Sequence, residues 1–249
     1  MTTYQNYING QFIDAADTHD VINPSTGQVL AHAPSSDIAA VNEAVAAAKA
    51  AQVHWAELPN IERAGYLTAI AAKLRDNVDR FAHYLVEEQG KVQALAEVEV
   101  SFTADYFDYM AGWARRLEGE VIPSDRPGEM IFLTYDPIGV VGGILPWNFP
   151  FFLIARKMAP ALLTGNTIVI KPSMETPINA FEFCKIVDEV GLPAGVFNMV
   201  GGSGRKIGEA LTTHPDVGLI SMTGSVDVGK RIMEQAGSTL TRVNLELGG

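Results

Sequence analysis

The chain contains Val140-Val141-Gly142-Gly143-Ile144-Leu145, followed at once by Pro146-Trp147-Asn148-Phe149-Pro150. The first run is apolar and has the length of a buried strand, and glycine and proline mark the turn that follows it. A helical stretch from Phe151 to Leu163 leads to a second apolar run, Thr167 to Lys171. This strand–helix–strand alternation is typical of a parallel sheet with helices on both faces.

The same alternation continues to the end of the sequence. We predict further strands and helices at Val196 to Val200, Val217 to Met222, Val243 to Leu247, Ile178 to Glu189, Lys206 to Leu211 and Val228 to Gln235. The fold class predicted for this part is therefore α/β, with a doubly wound parallel sheet. Ligands bind such sheets beyond the carboxyl ends of the strands, which is where the polar motifs of this sequence fall.

The first part of the chain does not show this alternation of strands and helices. Residues 7–12 alternate around an Asn-Gly step and predict a hairpin. Three helices should follow: one capped by Ser35 or Ser36, one running from about Ile61 to Phe81, and one spanning Gln93 to Arg116. The third helix carries an aromatic stripe that we expect in the core, made of Phe102, Tyr106, Tyr109 and Trp113.

Composition excludes several classes of protein. Hydrophobic residues make up 47% of the 249, enough for a substantial core, and the formal net charge is −11. An acidic surface repels phosphate, so we expect neither nucleic acid nor an anionic membrane as partner. Cys184 is the single cysteine, and residues 1–5 carry neither a basic patch nor an apolar run, so we expect no signal peptide and a cytoplasmic protein. The five histidines lack ligand spacing, so no metal site is predicted.

Two strand ends carry polar residues that could act on a ligand. Asn148 is held between two prolines, and a rigid carboxamide there could donate to a developing oxyanion or could simply shape a tight turn. Lys171 ends its strand and is locked by Pro172. It could touch a ribose or phosphate, or be a solvated lysine.

The last two strands also end in residues that could bind a ligand or act in catalysis. Thr223-Gly224-Ser225, with Gly229 further on, follows a strand and opens a helix, a weak signal for pyrophosphate binding. Glu246 lies between leucines near the end of a strand that we expect to be buried. Burial would raise the pKa of Glu246 and suit it to general-base catalysis, although a paired structural glutamate is the alternative.

These features, in this order and ending in Leu245-Glu246-Leu247-Gly248-Gly249, resemble the aldehyde dehydrogenase superfamily over the whole chain. Residues 96–106, 124–129 and 151–158 most resemble the members that act on lactaldehyde and glycolaldehyde. The resemblance implies a Rossmann-like NAD(P)-binding domain and NAD(P)-dependent oxidation of a small hydroxyaldehyde. In that chemistry a cysteine attacks the aldehyde, hydride passes to nicotinamide, and water hydrolyses the thioester.

The resemblance also implies site residues. Asn148 matches the oxyanion asparagine, Glu246 the general base, and Lys157 a proton relay or structural support. Substrate-binding candidates are Arg156, Phe149 and Phe152, with a surface or interface role as the alternative for Arg156. The cofactor-binding candidates are Ile144, Leu145, Pro146, Trp147, Lys171, Ser173, Met174, Glu175, Gly204, Thr223, Gly224, Ser225, Gly229, Leu247 and Gly248.

One position departs from the family pattern. Met174 stands where a glutamate often holds both ribose hydroxyls, and Glu175 follows one residue later. We therefore expect NAD as cofactor with NADP tolerated.

The family's organisation suggests how the chain is built. Residues 1–125 would form the hairpin and helical part with the start of an oligomerisation region, and residues 126–249 the NAD(P)-binding part. The family's cysteine lies beyond the motif at Gly249, so we expect a fragment that is inactive alone and a homo-oligomer at full length. The alternative is a truncated, non-catalytic module that binds nucleotide or pairs with another subunit.

Overall fold

The computed structural model describes residues 1–248. The N-terminal residues form short strands at β1 (Thr2–Thr3), β2 (Asn6–Ile8), β3 (Gln11–Ile13), β4 (Thr18–Ile22) and β5 (Val29–Pro34). The turn between β2 and β3 passes through Asn9 and Gly10 with φ of 52° and 73°. Positive φ at both positions suits a tight hairpin turn, and the predicted hairpin is confirmed.

Four helices follow these strands: α1 (Ile38–Glu57), α2 (Asn60–Arg75), α3 (Val78–Gln89) and α4 (Gln93–Ala111). The single helix predicted from Ile61 to Phe81 is wrong. The helix ends at Arg75. The Asn77 side chain donates to Lys73 O at 2.8 Å and so occupies a carbonyl of the last turn of α2. Both helices still bury apolar residues in the same core, which explains the unbroken apolar spacing.

Two further predictions about these helices need correction. Asp37 caps α1 by accepting from the Ala40 amide, whereas the Ser36 hydroxyl accepts from the Asn6 side chain at 2.8 Å. Helix α4 ends at Ala111, five residues earlier than Arg116.

The predicted aromatic stripe is only partly in the core: Tyr106 and Trp113 are partly buried and pack against it, whereas the other two residues face outward. Phe102 and Tyr109 are 51% and 58% exposed. The face that packs inward carries Ala96, Val100 and Ala104 together with Phe107, which is fully buried. Because an aromatic row and an aliphatic row run along the same helix, spacing alone did not show which one faces the core.

The second part of the chain begins with a hairpin and continues as alternating strands and helices. Its elements are β6 (Glu120–Pro123), β7 (Met130–Leu133), β8 (Val140–Ile144), α5 (Phe152–Leu163), β9 (Thr167–Lys171), α6 (Ile178–Val190), β10 (Phe197–Met199), α7 (Glu209–Thr212), β11 (Val217–Gly224), α8 (Val226–Ala236) and β12 (Arg242–Leu247). A π-helical turn, Gly204–Gly208, precedes α7 where one helix was predicted. The other predicted strands and helices are present within two residues of their expected bounds.

The main sheet has the order β12–β11–β8–β9–β10–β2–β3. Strands β8 to β12 are parallel, and the N-terminal hairpin extends the sheet, with β2 antiparallel to β10 and β3 antiparallel to β2. The predicted α/β fold is confirmed, with this antiparallel edge in addition. The predicted boundary at residue 125 falls in the turn between β6 and β7.

Helices cover both faces of the sheet. Strand β9 shows this arrangement, since Ile168 and Ile170 belong to the core beneath α2 to α6 and Val169 belongs to the core beneath α1. Alternate residues of a strand point to opposite faces, so one strand serves both cores. Within residues 1–248, no helix has the length and apolarity needed to cross a bilayer.

Cys184 lies in α6 and is fully buried. Its Sγ contacts the Ala180 carbonyl at 3.4 Å, and burial raises the pKa of the thiol well above its usual value. Cys184 is therefore a small residue of the core.

Candidate active site

A cleft of about 390 Å³ opens at the carboxyl ends of three adjacent strands, β8, β11 and β12. The chain leaves β8 toward β9 on one side, whereas β11 continues to β12 on the other side. Such a reversal of strand order leaves a crevice where ligands bind in open α/β sheets. The residues that line the cleft are Pro146, Trp147, Asn148, Thr223, Gly224, Ser225, Glu246, Leu247 and Gly248.

Sheet register explains why these distant residues meet. Thr223 on β11 pairs with Glu246 on β12, and Gly224 pairs with Leu247. Strand β8 lies on the other side of β11, and its last residue, Ile144, pairs with Met222. The turn after β8 therefore faces the turn after β11. The sequence pattern predicts that each motif lies at a strand end. The order of the strands in the sheet, which the structure provides, brings the motifs together.

The turn that carries Asn148 is held through its backbone. Gln89, the last residue of α3, donates its side-chain amide to Asn148 O at 2.6 Å and to Trp147 O at 3.0 Å. The Asn148 side chain is exposed and lines the cleft. A carboxamide in this position can donate to a ligand oxygen.

Glu246 lies on an exposed strand, contrary to the sequence expectation. Strand β12 is the edge of the sheet within residues 1–248, and the Glu246 side chain is 52% exposed. Its Oε1 lies 3.8 Å from an Arg156 guanidinium nitrogen. The burial that was expected to tune this carboxylate is therefore missing in the described residues, and a cationic neighbour is present instead.

Lys157 lies beneath the cleft and not in its wall. Its Nζ donates to Thr223 Oγ1 at 3.0 Å and to Ser221 Oγ at 3.2 Å. Burial lowers the pKa of Lys157 to about 8, the Arg156 charge acts in the same direction, and Glu246 opposes it. An ammonium with this pKa can exchange a proton near neutral pH while it supports the Thr223 turn.

The turn after β11 forms the N-terminus of α8. Ser225 is the N-cap residue, and its hydroxyl accepts from the Val228 amide at 3.4 Å. Exposed amides at such a terminus favour an anionic group. Gly229 has another role in packing, because a Cβ there would lie 2.7 Å from Leu247 Cδ2. Its small size lets α8 lie close to β12 behind the cleft.

The remaining cofactor candidates lie outside the cleft wall. Lys171 is buried at the end of β9, its Nζ donates to Pro172 O at 2.7 Å, and burial lowers its pKa to about 8. Leu145 donates its amide to Lys171 O at 3.1 Å, which ties the two strand ends together. Ser173 accepts from the Glu175 amide at 3.2 Å.

Other candidates face neighbouring surfaces. Met174 O contacts His19 Nε2 at 3.1 Å, and Glu175 lines a second cleft, of about 540 Å³, with Glu88 and Gln89. Gly204 begins the π-helical turn and is exposed. Among the described residues, no group of three or more His, Cys, Asp or Glu side chains could hold a metal ion.

Comparison with known proteins identifies the family. The model described as "Aldehyde dehydrogenase family" matches residues 12–249. The chain belongs to the aldehyde dehydrogenase family.

Several relatives are close to this aldehyde dehydrogenase chain. Lactaldehyde dehydrogenase from Escherichia coli (strain K12) is 57% identical over 98% of this chain and 51% of its own length. A 3,6-anhydro-alpha-L-galactose dehydrogenase from Vibrio sp. (strain EJY3) is 43% identical over 100% of this chain and 52% of its own length. This chain thus spans about half the length of the curated relatives it matches.

Solved structures agree with this assignment. A lactaldehyde dehydrogenase structure superposes with a TM-score of 0.98 at 56% identity, covering 100% of this chain and 52% of that one. A 3,6-anhydro-L-galactose dehydrogenase in complex with NAP gives 0.97 at 40% identity, with the same coverage. A betaine aldehyde dehydrogenase from Staphylococcus aureus in complex with NAD+ gives 0.97 at 32% identity, again with that coverage.

An aromatic wall adjoins the Asn148 turn of this aldehyde dehydrogenase chain. Phe149 is 45% exposed, whereas Phe152 is buried with its ring centroid 6.4 Å from that of Phe149. Phe102 and Tyr106 of α4 lie 4.6 Å and 5.5 Å from the Phe152 ring. Phe102 and Tyr106, two residues of the stripe that was predicted to be core, therefore extend the aromatic surface beside the site.

Sequence reasoning missed the polar residues that hold the turn. Glu99 is fully buried in α4 and accepts from the Phe151 and Phe152 amides at 2.9 Å and 3.1 Å. The sequence did contain a signal for Glu99, because this carboxylate lies on the same face of α4 as the apolar residues Ala96 and Val100. A buried carboxylate requires donors, and here they come from the start of α5.

Proposed function

We propose that this chain forms the NAD(P)-binding and oxyanion-stabilising part of an enzyme that oxidises a small hydroxyaldehyde, such as lactaldehyde or glycolaldehyde, to the carboxylic acid. The observation that carries the proposal is the meeting of Asn148, the Thr223–Ser225 turn and Glu246 at one cleft. The 57% identity to a lactaldehyde dehydrogenase supports the choice of substrate class.

The cleft has features that suit a dinucleotide. The exposed N-terminus of α8 offers amides to a pyrophosphate, and Gly224 and Ser225 add little bulk there. Trp147 and Leu247 flank this turn with apolar surface. A bound NAD(P) would supply the hydride acceptor, while Lys171 would reach the ribose at the neighbouring strand end. In these roles NAD is the expected cofactor and NADP is tolerated.

The remaining residues have assigned roles in the reaction. Asn148 donates its amide hydrogen to the aldehyde oxygen as negative charge develops there. Glu246 removes a proton from the attacking thiol or water, and Arg156 holds that carboxylate near the site until substrate binds. Lys157 fixes the Thr223 turn and can carry a proton. The nucleophile in this proposal is a thiolate other than Cys184, which is buried in α6.

A second function, pairing with another subunit, has an observation in its favour. The hairpin formed by β6 and β7 exposes apolar side chains on both strands, including Val121 and Phe132 at 64% and 65%. Contiguous exposed apolar surface marks an interaction site. We therefore propose that this hairpin contributes to a homo-oligomer, whether or not the chain is catalytic.

The proposed function can be tested in a defined protein. These 249 residues are joined to the C-terminal half of the E. coli lactaldehyde dehydrogenase, and we call the product the completed enzyme. NADH formation at 340 nm is followed with lactaldehyde, glycolaldehyde and propanal. Turnover of the two hydroxyaldehydes supports the proposal. A folded, NAD+-binding protein that oxidises none of the three aldehydes would leave the pairing function as the better account.

Replacing Arg156 tests whether its guanidinium also binds the substrate, as the sequence resemblance implies. Arg156→Leu in the completed enzyme should raise KM for glycolaldehyde and lactaldehyde by about tenfold, because a hydrogen bond to a charged group is lost. Propanal has no second oxygen, so its KM should change little. The control is Arg75→Leu, since Arg75 is also 45% exposed and pairs with Asp105 at 2.8 Å. Equal effects on all three aldehydes would show that Arg156 acts only through Glu246.

Replacing Met174 tests cofactor choice. Met174→Glu should raise the ratio of kcat/KM for NAD to that for NADP by about tenfold or more, because a carboxylate repels the 2′-phosphate. Met174→Gln keeps the shape without the charge and is the matched control. If the wild type already rejects NADP and Met174→Glu changes nothing, Glu175 fills the role instead.

A further inference from the structure

A buried ion pair lies behind the Asn148 turn, outside the residues that line the cleft. Lys91, between α3 and α4, pairs with Glu99 of α4, and their side chains are 9% and 0% exposed. Removing two charges from water is costly, and apolar residues of similar size would pack at least as well. The pair therefore calls for an explanation beyond packing.

The carboxylate holds the far end of the turn. Glu99 Oε1 accepts from the Phe151 and Phe152 amides, which are at the start of α5. These amides have no partner within the helix, and a negative charge at a helix N-terminus is favourable. Glu99 thus fixes the point at which the Asn148 turn becomes α5.

The ammonium holds the turn itself. Lys91 Nζ donates to Asn148 O at 3.3 Å and lies 4.1 Å from the centroid of the Phe149 ring. Gln89 adds its two bonds to Asn148 O and Trp147 O. One charged pair therefore contacts the turn at Asn148, Phe149 and the two amides that follow Pro150.

We propose that the Lys91–Glu99 pair is the positioning device that orients the Asn148 carboxamide into the cleft. Lys91 fixes the Asn148 carbonyl and Glu99 fixes the start of α5, so the backbone that carries the carboxamide is held on both sides of the turn. The proposal rests on the proposed function, in which Asn148 is the oxyanion donor. Neither residue lines the cleft, so loss of the pair should affect the chemical step more than cofactor binding.

The neighbouring carboxylate provides an internal control. Glu88 accepts from the Ile178 and Asn179 amides at 2.7 Å and 2.9 Å, and so holds the start of α6 as Glu99 holds the start of α5. Among the described residues, Lys91 donates to Glu99 and Asn148 and makes no hydrogen bond to Glu88 or to the start of α6. A change confined to the Asn148 turn should therefore leave amide exchange at the start of α6 unchanged.

The experiment combines kinetics with local amide exchange in the completed enzyme. Lys91→Met should lower kcat by about 10- to 100-fold, because a small misplacement of a catalytic group has effects of this size. The Kd for NAD+ should stay within about twofold of wild type, since neither Lys91 nor Glu99 contacts the Thr223–Ser225 turn that is proposed to hold the pyrophosphate. Exchange measured without cofactor should be faster over residues 147–152 and unchanged over residues 178–183. Lys91→Arg restores the charge and should recover most of the lost kcat.

Two further variants keep the test decisive. If Lys91→Met does not fold, the double variant Lys91→Gln/Glu99→Gln replaces the ions with amides that can still hydrogen bond, and the same changes are expected. Lys73→Gln removes an exposed partner of Glu189 and should change none of the readouts. The proposal is overturned if exchange over residues 147–152 is unaltered, if kcat is unaltered, or if weaker NAD+ binding accounts for the loss. If the completed enzyme without substitutions oxidises no aldehyde, the proposed function is refuted. Amide exchange over residues 147–152 would still show whether the Lys91–Glu99 pair orders the Asn148 turn.

Discussion

Asn148→Ala in the completed enzyme should lower kcat by about 100- to 1,000-fold, the usual effect of removing one oxyanion donor. The reason is that Asn148 lines the cleft on a backbone held by Gln89, and alanine has no amide hydrogen to donate. Steady-state rates with glycolaldehyde and NAD+ measure the effect. KM should change little, because the bond strengthens only as charge develops on the oxygen.

The control for this prediction is Asn244→Ala, which removes an exposed asparagine from β12 without touching the cleft lining. It should keep near wild-type turnover. A loss of less than tenfold in Asn148→Ala, with normal folding, would show that the oxyanion is stabilised by other groups.

The 249 residues expressed alone should produce no NADH from glycolaldehyde. The mechanism requires a thiolate to carry the acyl group, and a general base cannot replace it. The sequence has one thiol, Cys184, which is buried in α6 with a pKa well above its usual value. The assay needs enough protein to detect a rate about 10⁶-fold below a typical enzyme's kcat of about 10 per second.

Cys184→Ser separates the possible outcomes of that assay. Activity that survives the substitution would mean that the chemistry does not use a cysteine thioester. Activity that the substitution abolishes would mean that Cys184 is the nucleophile and that its buried position is not the reactive one. The control is the completed enzyme carrying Cys184→Ser, which should turn over normally because a serine fits the same small space.

The strands of the main sheet could be predicted because each is a short apolar run closed by glycine or proline. Val140–Ile144 and Thr167–Lys171 are buried on both faces, which produces continuous apolar sequence. The cleft could be predicted in outline for the same reason, since its motifs follow strand ends.

Other features depend on long-range packing that local patterns do not contain. Glu246 was expected to be buried because leucines flank it, but β12 lies at a sheet edge in the described residues. The stripe from Phe102 to Trp113 has helical spacing, yet Phe102 and Tyr109 are exposed while the aliphatic row beside them is buried in the core. The Lys91–Glu99 pair acts on a turn about 50 residues away in sequence, and only the fold brings them together.

We propose that the cleft between β8, β11 and β12 binds the dinucleotide beside Asn148 and Glu246. Amide hydrogen exchange of the completed enzyme, with and without saturating NAD+, tests it most directly. We predict slower exchange over residues 146–149, 223–229 and 245–248, and no change in the β6–β7 hairpin, residues 120–133. Protection confined to other segments, or none at saturating NAD+, would contradict this account.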